Sequence, residues 1–299
     1  MIRTSSSALL LDVGGTFIKA CFLPNPTTNE NGVISEFAID SNGTCEEIFH
    51  SFNVVQKWAE SLSKRCGLKI GSVAVAIPGP FDYRHGVFLM KHKFQSVYGM
   101  NFSKFVHFDD CDVEYRFVHD VNCMLLGEVS NADMAAFRNV ALVTLGTGLG
   151  FSMSLNGEIL VNENGSPLRS IYNLPCGNAT LEDYVSKRGF ISLYRSFSGD
   201  DDPFLTVKDI AIRAFEGDEL SKDTFAQVAR VLSVHLKPIL KENEIEALFF
   251  GGQISRSFSL MEPALREELQ DVKTLERISA VSDISNATFR GLRSLLLRE

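Results

Sequence analysis

Two stretches of the chain share one pattern, and that pattern decides the fold. Residues 8–23 read ALLLDVGGTFIKACFL, and residues 140–155 read VALVTLGTGLGFSMSL. In each stretch an apolar run enters a turn rich in glycine and threonine, and a second, alternating run leaves it, which is typical of a β-hairpin. Because each half of the chain opens with such a hairpin, we predict two related α/β domains that face one cleft.

The composition indicates an ordinary folded protein without a large basic face. Of the 299 residues, 45% are hydrophobic and 22% are charged, and the formal net charge is −8. A chain of this length exceeds one compact core, so two domains are expected. The acidic balance disfavours nucleic-acid binding, and no run approaches the roughly 20 apolar residues that a membrane-spanning helix needs. The apolar run before Asp12 is too short for a signal peptide.

The cysteines and histidines predict neither disulfides nor a metal centre. The six cysteines are scattered, with no C-x-C or C-x-x-C spacing, which favours reduced thiols and a cytoplasmic location. The six histidines show no spacing typical of metal ligands. A site built from histidine and cysteine is therefore not expected.

Hydrophobic periodicity predicts the order of the elements. In the first part, three strands form an antiparallel meander (8–13, 17–23, 33–39), followed by a helix (45–64) and two strands (72–77, 113–118). In the second part, a helix (122–129), a strand and a hairpin (140–161) precede helices (180–197, 206–217, 221–242), a strand (247–250), a helix (256–270), a strand (273–281) and a final helix from 284. We predict a small domain over 1–118, completed by the C-terminal helix 284–299, and a larger domain over 119–283.

The two turns are candidate phosphate sites. They contain Gly14, Gly15 and Thr16 in the first turn, and Gly146, Thr147 and Gly148 in the second. Glycines let backbone N–H groups approach an anion, and each threonine adds a hydroxyl donor. A single turn of this kind is best interpreted as a structural β-hairpin, whereas the presence of two favours binding of nucleotide phosphates. The Walker sequence and the dinucleotide-binding G-x-G-x-x-G are both absent, which argues against those two kinds of site.

Five further residues near predicted strand ends are candidates for catalysis or binding. Asp120 begins a helix, so its carboxylate can accept a proton from a hydroxyl that attacks phosphorus, with a helix N-cap as the alternative. Asp12 is suited to hold Mg²⁺ through water, or it is only a polar strand end. Lys19 is either a phosphate contact or an exposed edge residue. Gly251 and Gly252 either make room for a flat ring or form a turn.

The ordered motifs of the chain resemble those of the ROK family of sugar kinases and repressors, within the actin-like, hexokinase-like ATPase superfamily. The matching segments are LDVGGT (11–16), IPGPFD (77–82), HDVN (119–122), LGE (126–128), TLGTGLG (144–150), LEDYVS (181–186), FFGGQIS (249–255) and NATFRG (286–291). Each segment is weak alone. Together they occur in the family's order over nearly the whole chain.

This resemblance implies a fold and an activity. The fold would be two actin-like, ribonuclease H-like domains, each a mixed sheet with flanking helices, around a central cleft. The activity would be transfer of a phosphoryl group from ATP, carried with Mg²⁺, to a primary hydroxyl of a hexose, most simply glucose.

The resemblance also implies three groups of site residues. The catalytic base would be Asp120. The nucleotide would contact Asp12, Gly14, Gly15, Thr16, Lys19, Gly146, Thr147, Gly148, Gly251 and Gly252. The sugar would contact Gly79, His119, Asn122 and Glu182.

Two features depart from the family pattern. His119 stands where the family usually has asparagine. The family's zinc-binding segment, rich in histidine and cysteine, survives only as Cys176, Gly177 and Glu182. We therefore expect no structural zinc, a remodelled sugar pocket, and a helix capped by Thr180 that positions Glu182 without a metal.

Other functions stay open beside the leading one. They are a non-catalytic sugar-binding regulator of the same family, a kinase for an N-acetylhexosamine, and an actin-like filament or ATPase. Repressors carry a DNA-binding domain before the first phosphate motif, and the residues before Asp12 leave no room for one, so a kinase is expected. The segment 77–82 disfavours the filament. The expected partner is a small-molecule sugar, with no nucleic acid and no membrane, and a homodimer is allowed.

Overall fold

The structure is a computed structural model that describes residues 6–28, 32–108 and 112–298. Internal contacts divide the chain into two units. The first unit contains the chain up to Asn131, the segment Val161–Ser166 and the chain from Ser285 onward, and the second contains Ala132–Leu160 and Pro167–Ile284. The sequence predicts a boundary between residues 118 and 119, whereas the structure keeps the helix after that point in the first unit.

Strands and helices follow one another as the periodicity predicts. Over the described residues, the strands are β1 (Ser6–Val13), β2 (Phe17–Leu23), β3 (Val33–Ala38), β4 (Lys69–Ile77), β5 (Phe81–Asp82), β6 (Val87–Phe88), β7 (Glu114–His119), β8 (Val140–Leu145), β9 (Leu149–Leu155), β10 (Glu158–Ile159), β11 (Pro175–Cys176), β12 (Ala179–Thr180), β13 (Ala247–Gly251) and β14 (Arg277–Ala280). The α-helices are α1 (Cys45–Cys66), α2 (Asp120–Val129), α3 (Leu181–Val185), α4 (Lys187–Ser198), α5 (Val207–Phe215), α6 (Glu219–Glu242), α7 (Glu262–Leu269) and α8 (Ala287–Leu297). None of the helices within the described residues has the length and apolar character required to cross a membrane.

The first unit is built on a sheet with the strand order β3-β2-β1-β4-β7. Strands β1, β2 and β3 pair antiparallel, which confirms the predicted meander, and β4 and β7 run parallel to β1. Leu9 and Leu11 pack in the same cluster as α1, whereas Leu10 packs with α8. Because helices cover both faces of the sheet, β1 is continuously apolar rather than alternating.

Helix α2 packs closely on α8 and therefore belongs to the first unit. A Cβ added at Gly127 would collide with the backbone of Ala287, and one added at Gly291 would collide with the backbone of Cys123. Glycine at both positions lets the two helix axes approach each other. This close contact explains why the first unit continues beyond residue 118 and includes α8.

The second unit repeats the strand order of the first, as β10-β9-β8-β13-β14. Strand β9 pairs antiparallel with β8 and β10, and β13 lies parallel between β8 and β14. Its core joins buried residues of this sheet to apolar side chains of α3, α4, α5, α6 and α7. The predicted α/β class, with a mixed sheet and flanking helices in each half, is confirmed.

Two predicted helices of the second unit are interrupted. The helix predicted over 180–197 divides at Ser186, whose backbone is extended. The resulting turn brings Gly189 so close to the Tyr184 backbone that a Cβ has no room. The helix predicted near 256–270 begins as a 3-10 turn (Ile254–Leu260) and becomes α7 with a proline in its first turn. The first interruption depends on close packing, which helical periodicity does not report, and the second coincides with a non-helical Ser257 and the proline in the first turn of α7.

Candidate active site

The first glycine turn joins β1 and β2 and leaves two backbone donors available. Gly14 N–H donates to Phe17 O at 2.9 Å, and Gly15 O accepts from Ser41 N–H at 2.9 Å. Within the described residues, the N–H groups of Gly15 and Thr16 have no hydrogen-bond acceptor. Because unpaired backbone donors seek a partner, the turn offers both to an anion.

Asp12 and Lys19 lie directly opposite each other where β1 and β2 approach the turn. Burial raises the pKa of Asp12 to about 6, and the negative charge of Asp120 adds to this rise, while Lys19 and a hydrogen bond with Thr288 act against it. An ionised carboxylate in such surroundings is stabilised by a nearby cation. Mg²⁺ prefers oxygen ligands and often keeps its bound waters, so the Asp12 carboxylate fits this ion held through water.

Strand register brings Asp12 and Asp120 to the same edge of the first sheet. Asp12 aligns with Ala76 on β4, and Ala76 aligns with Val118 on β7, two residues before Asp120. Parallel strands end at one edge of a sheet, which is where ligands bind in open α/β folds. The first glycine turn and the predicted base are therefore neighbours through the sheet.

Asp120 is the first residue of α2, and His119 occupies the N-cap position. The alternative interpretation of Asp120 as the N-cap is therefore wrong. His119 Nδ1 and Val121 N both lie 2.8 Å from Asp120 Oδ1. Val121 N also lies 3.3 Å from His119 Nδ1. Because an ionised carboxylate only accepts hydrogen bonds, the 2.8 Å contact with Asp120 requires a proton on Nδ1, and Val121 N–H then donates to the carboxylate.

The same contacts decide the charge of Asp120. Burial raises the pKa of Asp120, but His119, Val121 N–H and the charge of Lys93 together hold it below its usual value. The carboxylate is therefore ionised at neutral pH and available to accept a proton.

Gly79, His119 and Asn122 all lie in the first unit. A Cβ at Gly79 would lie 3.2 Å from Tyr83 Oη and 3.3 Å from His119 Cδ2. The rings of Tyr83 and His119 are in contact, with centroids 5.8 Å apart. Asn122 is buried and donates to Gly165 O at 3.3 Å. Sequence reasoning missed Tyr83 and Gly165, because neither follows a periodic pattern or a charge pattern.

The second glycine turn joins β8 and β9 and is held by Glu182. Gly146 N–H donates to Gly148 O at 3.1 Å, and Leu149 N–H donates to Glu182 Oε2 at 2.9 Å. Within the part of the chain that the structure describes, Thr147 N–H and Gly148 N–H have no acceptor. A Cβ at Gly148 would lie 2.9 Å from Glu182 Oε2, whereas one at Gly146 would meet nothing within 4 Å.

Glu182, which the resemblance assigns to the sugar, is fixed against this turn. Its second oxygen, Oε1, accepts from Arg188 at 3.0 Å, and Arg188 also pairs with Asp183 at 2.7 Å. Thr180 is the N-cap of α3, as predicted, and its N–H and hydroxyl donate to Asp183 at 2.9 and 2.6 Å. The cap and the ion pairs together hold Glu182 in place.

A cavity of about 520 Å³ lies beside the second turn. Its wall includes Gly146, Thr147 and Lys187, together with Phe215 and Gln253. Small-molecule sites commonly occupy roughly 300–1,000 Å³ and combine apolar walls with a few polar groups. The cavity is therefore large enough for a flat ring system next to the turn.

Gly251 and Gly252 place Gln253 in this wall, but among the described residues they do not line it themselves. Gly251 is the buried last residue of β13. Gly252 has a φ of 83°, and a Cβ there would collide with the Leu145 backbone. The two glycines thus turn the chain tightly, and Gln253, which the sequence analysis did not single out, reaches the cavity.

Comparisons with known proteins place the chain in a family. The family model described as ROK family matches residues 9–295. The N-acetyl-D-glucosamine kinase of Mannheimia succiniciproducens is 27% identical over 210 residues, which are 62% of this chain and 67% of that protein. Among the first curated relatives, the aligned part is 57–67% of the relative's length.

Solved structures share the fold over nearly the whole chain. A putative sugar kinase from Cytophaga hutchinsonii has a TM-score of 0.80 at 19% identity, covering 98% of this chain and 100% of that one. A ROK family glucokinase from Streptomyces griseus, in complex with glucose and AMPPNP, has a TM-score of 0.74 at 19% identity, covering 97% and 99%. A ROK family transcriptional regulator has a TM-score of 0.78 at 16% identity, covering 97% and 78%.

The repeated sheet order and its two glycine hairpins define an α/β protein of the actin-like ATPase fold. Within that class, the chain belongs to the ROK family. The family and the fold that the motifs imply are thereby confirmed.

Proposed function

We propose that this protein is an ATP-dependent kinase that phosphorylates a hexose at a primary hydroxyl. The observation that carries the proposal is the ionised Asp120 carboxylate, held by His119 and Val121 N–H at the edge of the sheet that bears the first glycine turn. A carboxylate so placed accepts the proton of a hydroxyl while the hydroxyl oxygen attacks phosphorus. The kinases named among the relatives support the same class of reaction.

In the proposed reaction the sugar oxygen forms a bond to the γ-phosphorus of ATP. The bond from that phosphorus to the bridging oxygen breaks, ADP leaves with the electron pair, and the hydroxyl proton moves to Asp120. The unfilled N–H groups of both glycine turns, with Lys19, stabilise the phosphate charge. Asp12 would hold Mg²⁺ through water, and the ion would neutralise part of that charge.

We propose the remaining predicted residues as supports for the two substrates. In the first unit, Gly79, His119 and Asn122 are proposed as sugar contacts. In the second unit, Glu182 holds the second turn and is proposed as a further sugar contact. The cavity beside the second turn takes the adenine ring, and the turn at Gly251 and Gly252 places Gln253 in its wall. The cytoplasmic location and the homodimer stay predictions.

The sugar is glucose or N-acetylglucosamine. The name of the Streptomyces griseus relative supports glucose, and the names of the curated relatives support N-acetyl-D-glucosamine. A second candidate function, a non-catalytic sugar-binding regulator, is supported by the fold shared with a transcriptional regulator.

A coupled assay of ADP release tests the proposal. The purified chain is given MgATP and, separately, glucose, mannose, allose, fructose, N-acetylglucosamine or N-acetylmannosamine, with a reaction lacking sugar as the control. We expect sugar-dependent ADP release, greatest with glucose or N-acetylglucosamine, and a phosphorylated product detected by mass spectrometry. Calorimetric sugar binding without ADP release from any sugar would favour the regulator.

A further inference from the structure

Residues 88–108, from the end of β6 onward, contain two short 3-10 turns (Gln95–Val97 and Phe102–Lys104) and are held by buried aromatic rings. Phe88, Phe94, Phe102 and Phe105 are all fully buried. The centroid of the Phe88 ring lies 5.5 Å from those of Phe94 and Phe105. Because large aromatic rings dominate core packing, these contacts fix the segment on the first unit without a long strand or helix.

This segment brings Lys93 to the first glycine turn. Phe94 N–H donates to Ser41 O at 2.6 Å, and Ser41 N–H donates to Gly15 O at 2.9 Å, so two successive backbone hydrogen bonds join the segment to the turn. A Cβ at Gly15 would lie 3.7 Å from Cε and 3.8 Å from Nζ of Lys93. The ammonium group therefore lies near Gly15, in the turn whose Gly15 and Thr16 N–H groups are unpaired within the described residues.

The backbone at Phe94 is strained in a way that supports a functional position. Its φ is 52°, in the left-handed region that bulky residues rarely adopt. Such strain persists where packing and hydrogen bonds over-determine a conformation, and it concentrates at functional sites. Here the buried ring and the bond to Ser41 hold the conformation that sets the direction of the chain at Lys93.

The charge of Lys93 has no close partner among the residues that the structure describes. Within the described residues, no carboxylate lies within 4 Å of its Nζ and no hydrogen-bond acceptor is paired with it, although its charge lowers the pKa of Asp120. The half-buried ammonium group carries three donors that need an acceptor. Lys93 lies near the turn that binds phosphates in the proposed function, and its charge acts on the proposed base, so its position suits a contact with a phosphoryl group.

We propose that Lys93 is a further catalytic residue, which binds the γ-phosphoryl group and stabilises its oxygens during transfer; this rests on the proposed kinase function. The bond changes are those given above: one oxygen–phosphorus bond forms to the sugar, one breaks to ADP, and the hydroxyl proton moves to Asp120. Lys93 keeps its proton throughout and contributes positive charge where negative charge develops.

Replacement of Lys93 by methionine tests this role, because methionine keeps a long flexible side chain and removes the charge. Lys91→Met is the matched control, since Lys91 is exposed and its Nζ lies 5.7 Å from the centre of the Tyr98 ring. We expect kcat of K93M to fall about 100-fold, the usual effect of losing one charge-stabilising group. We expect KM for the sugar to change less than about threefold, K93R to recover about tenfold of the loss, and K91M to match wild type.

Calorimetry gives a second readout that does not need turnover. For K93M, affinity for a non-hydrolysable MgATP analogue should fall about tenfold while affinity for MgADP stays unchanged, as expected when one charged contact to the third phosphate is lost. Wild-type kcat in K93M, a raised sugar KM with unchanged kcat, or an equal loss for ADP and the analogue would each overturn the assignment.

The two readouts also separate this inference from the proposed function. If the wild-type protein phosphorylates no sugar, the kinase proposal fails, and the calorimetric comparison still decides whether Lys93 recognises a third phosphate. Thermal unfolding of K93M and K93R checks whether each variant folds. If K93M does not fold, K93R decides the assignment of Lys93. The assignment would be overturned if K93R had the wild-type kcat and also the wild-type preference for the ATP analogue over ADP.

Discussion

The two glycine turns sit at equivalent places in two sheets of the same strand order, yet their surroundings differ. The first turn gathers charged groups: Asp12 and Lys19 opposite each other, Lys93 near Gly15, and Asp120 at the start of α2, directly after β7 at the same edge of the sheet. The second turn has one buttressing carboxylate, Glu182, and a cavity with apolar walls.

This difference shows that the same glycine turn can have two roles, depending on the side chains around it. Both turns present unfilled N–H groups, which suit phosphate oxygens. The side chains around each turn decide the rest: charge near the first turn suits bond making and breaking, whereas an apolar cavity near the second suits a flat ring. Changes at the first turn should therefore alter turnover, and changes at the second should alter nucleotide affinity.

The largest effect is expected from Asp120→Asn, which tests the first turn's role in turnover. The amide cannot accept the hydroxyl proton, so kcat should fall by about 10²–10⁴, the range of general-base assistance. Sugar binding, measured by calorimetry, should change little because the side chain keeps its size. Near-normal turnover of this variant with its best sugar would show that Asp120 is not the base.

A smaller effect is expected from Gly146→Ala, which tests the second turn. An added Cβ at Gly146 meets no protein atom within 4 Å, so the fold should be unaffected while phosphate approach is obstructed. We expect KM for ATP to rise about tenfold, equivalent to one lost charge-assisted hydrogen bond, with kcat nearly unchanged.

Gly148→Ala serves as the comparison for Gly146→Ala. Its Cβ would lie 2.9 Å from Glu182 Oε2, so this change should displace Glu182 and lower thermal stability as well as ATP affinity. An unchanged KM for ATP in Gly146→Ala would count against phosphate binding at the second turn.

The sequence predicts what depends on local pattern. The strand predicted at residues 17–23 has the observed bounds of β2, and the strand predicted at 140–145 has those of β8, because apolar alternation and glycine turns report strand ends directly. The family motifs likewise locate Asp120 and both turns, since each is a short contiguous stretch.

Groups that depend on long-range packing were not predictable in the same way. Lys93 follows no periodic pattern. It is brought to Gly15 by two hydrogen bonds between residues far apart in sequence, one from Phe94 to Ser41 and one from Ser41 to Gly15. The break in the predicted helix at Ser186 depends on a close approach of Gly189 to Tyr184. Propensity and periodicity describe single segments, so they carry no information on such contacts.

A modest effect on the pH dependence of kcat is expected from His119→Asn, beside any change in sugar KM from its proposed sugar contact. His119 helps to hold the pKa of Asp120 below its usual value, together with Val121 N–H and Lys93, while burial acts in the opposite direction. The asparagine side chain carries no charge, so the pKa of Asp120 should rise and the base should become protonated at a higher pH. The acid limb of the kcat profile should therefore move to higher pH, with the plateau near wild type.

The control for this change is His85→Asn. His85 Nδ1 lies 2.8 Å from Asp82, the same separation as between His119 and Asp120, but His85 is exposed. Its replacement should leave the acid limb in place. If neither variant shifts the acid limb of the kcat profile, His119 does not lower the pKa of Asp120. The charged groups around the first turn would then affect turnover less than we propose.

We expect a chelator to leave the melting temperature unchanged. This result would mean that no metal ion supports the second turn. Cys176 lies in a hairpin of β11 and β12, and burial raises the pKa of its thiol, which disfavours the thiolate that binds zinc. Among the described residues, no group of three or more His, Cys, Asp or Glu side chains is placed to hold a metal ion.

Ordinary hydrogen bonds hold this region instead. Thr180 donates twice to Asp183, and the ring of His235 contacts Pro175 O at 3.1 Å through Nε2. Elemental analysis of protein purified without an affinity tag should find no zinc, and the melting temperature should be the same before and after chelation. Thr180→Ala, which removes a helix cap worth about 1 kcal/mol, should lower the melting temperature and so show that the measurement is sensitive enough. About one zinc per chain, lost together with stability on chelation, would mean that a metal rather than the Thr180 cap positions Glu182 under the second turn.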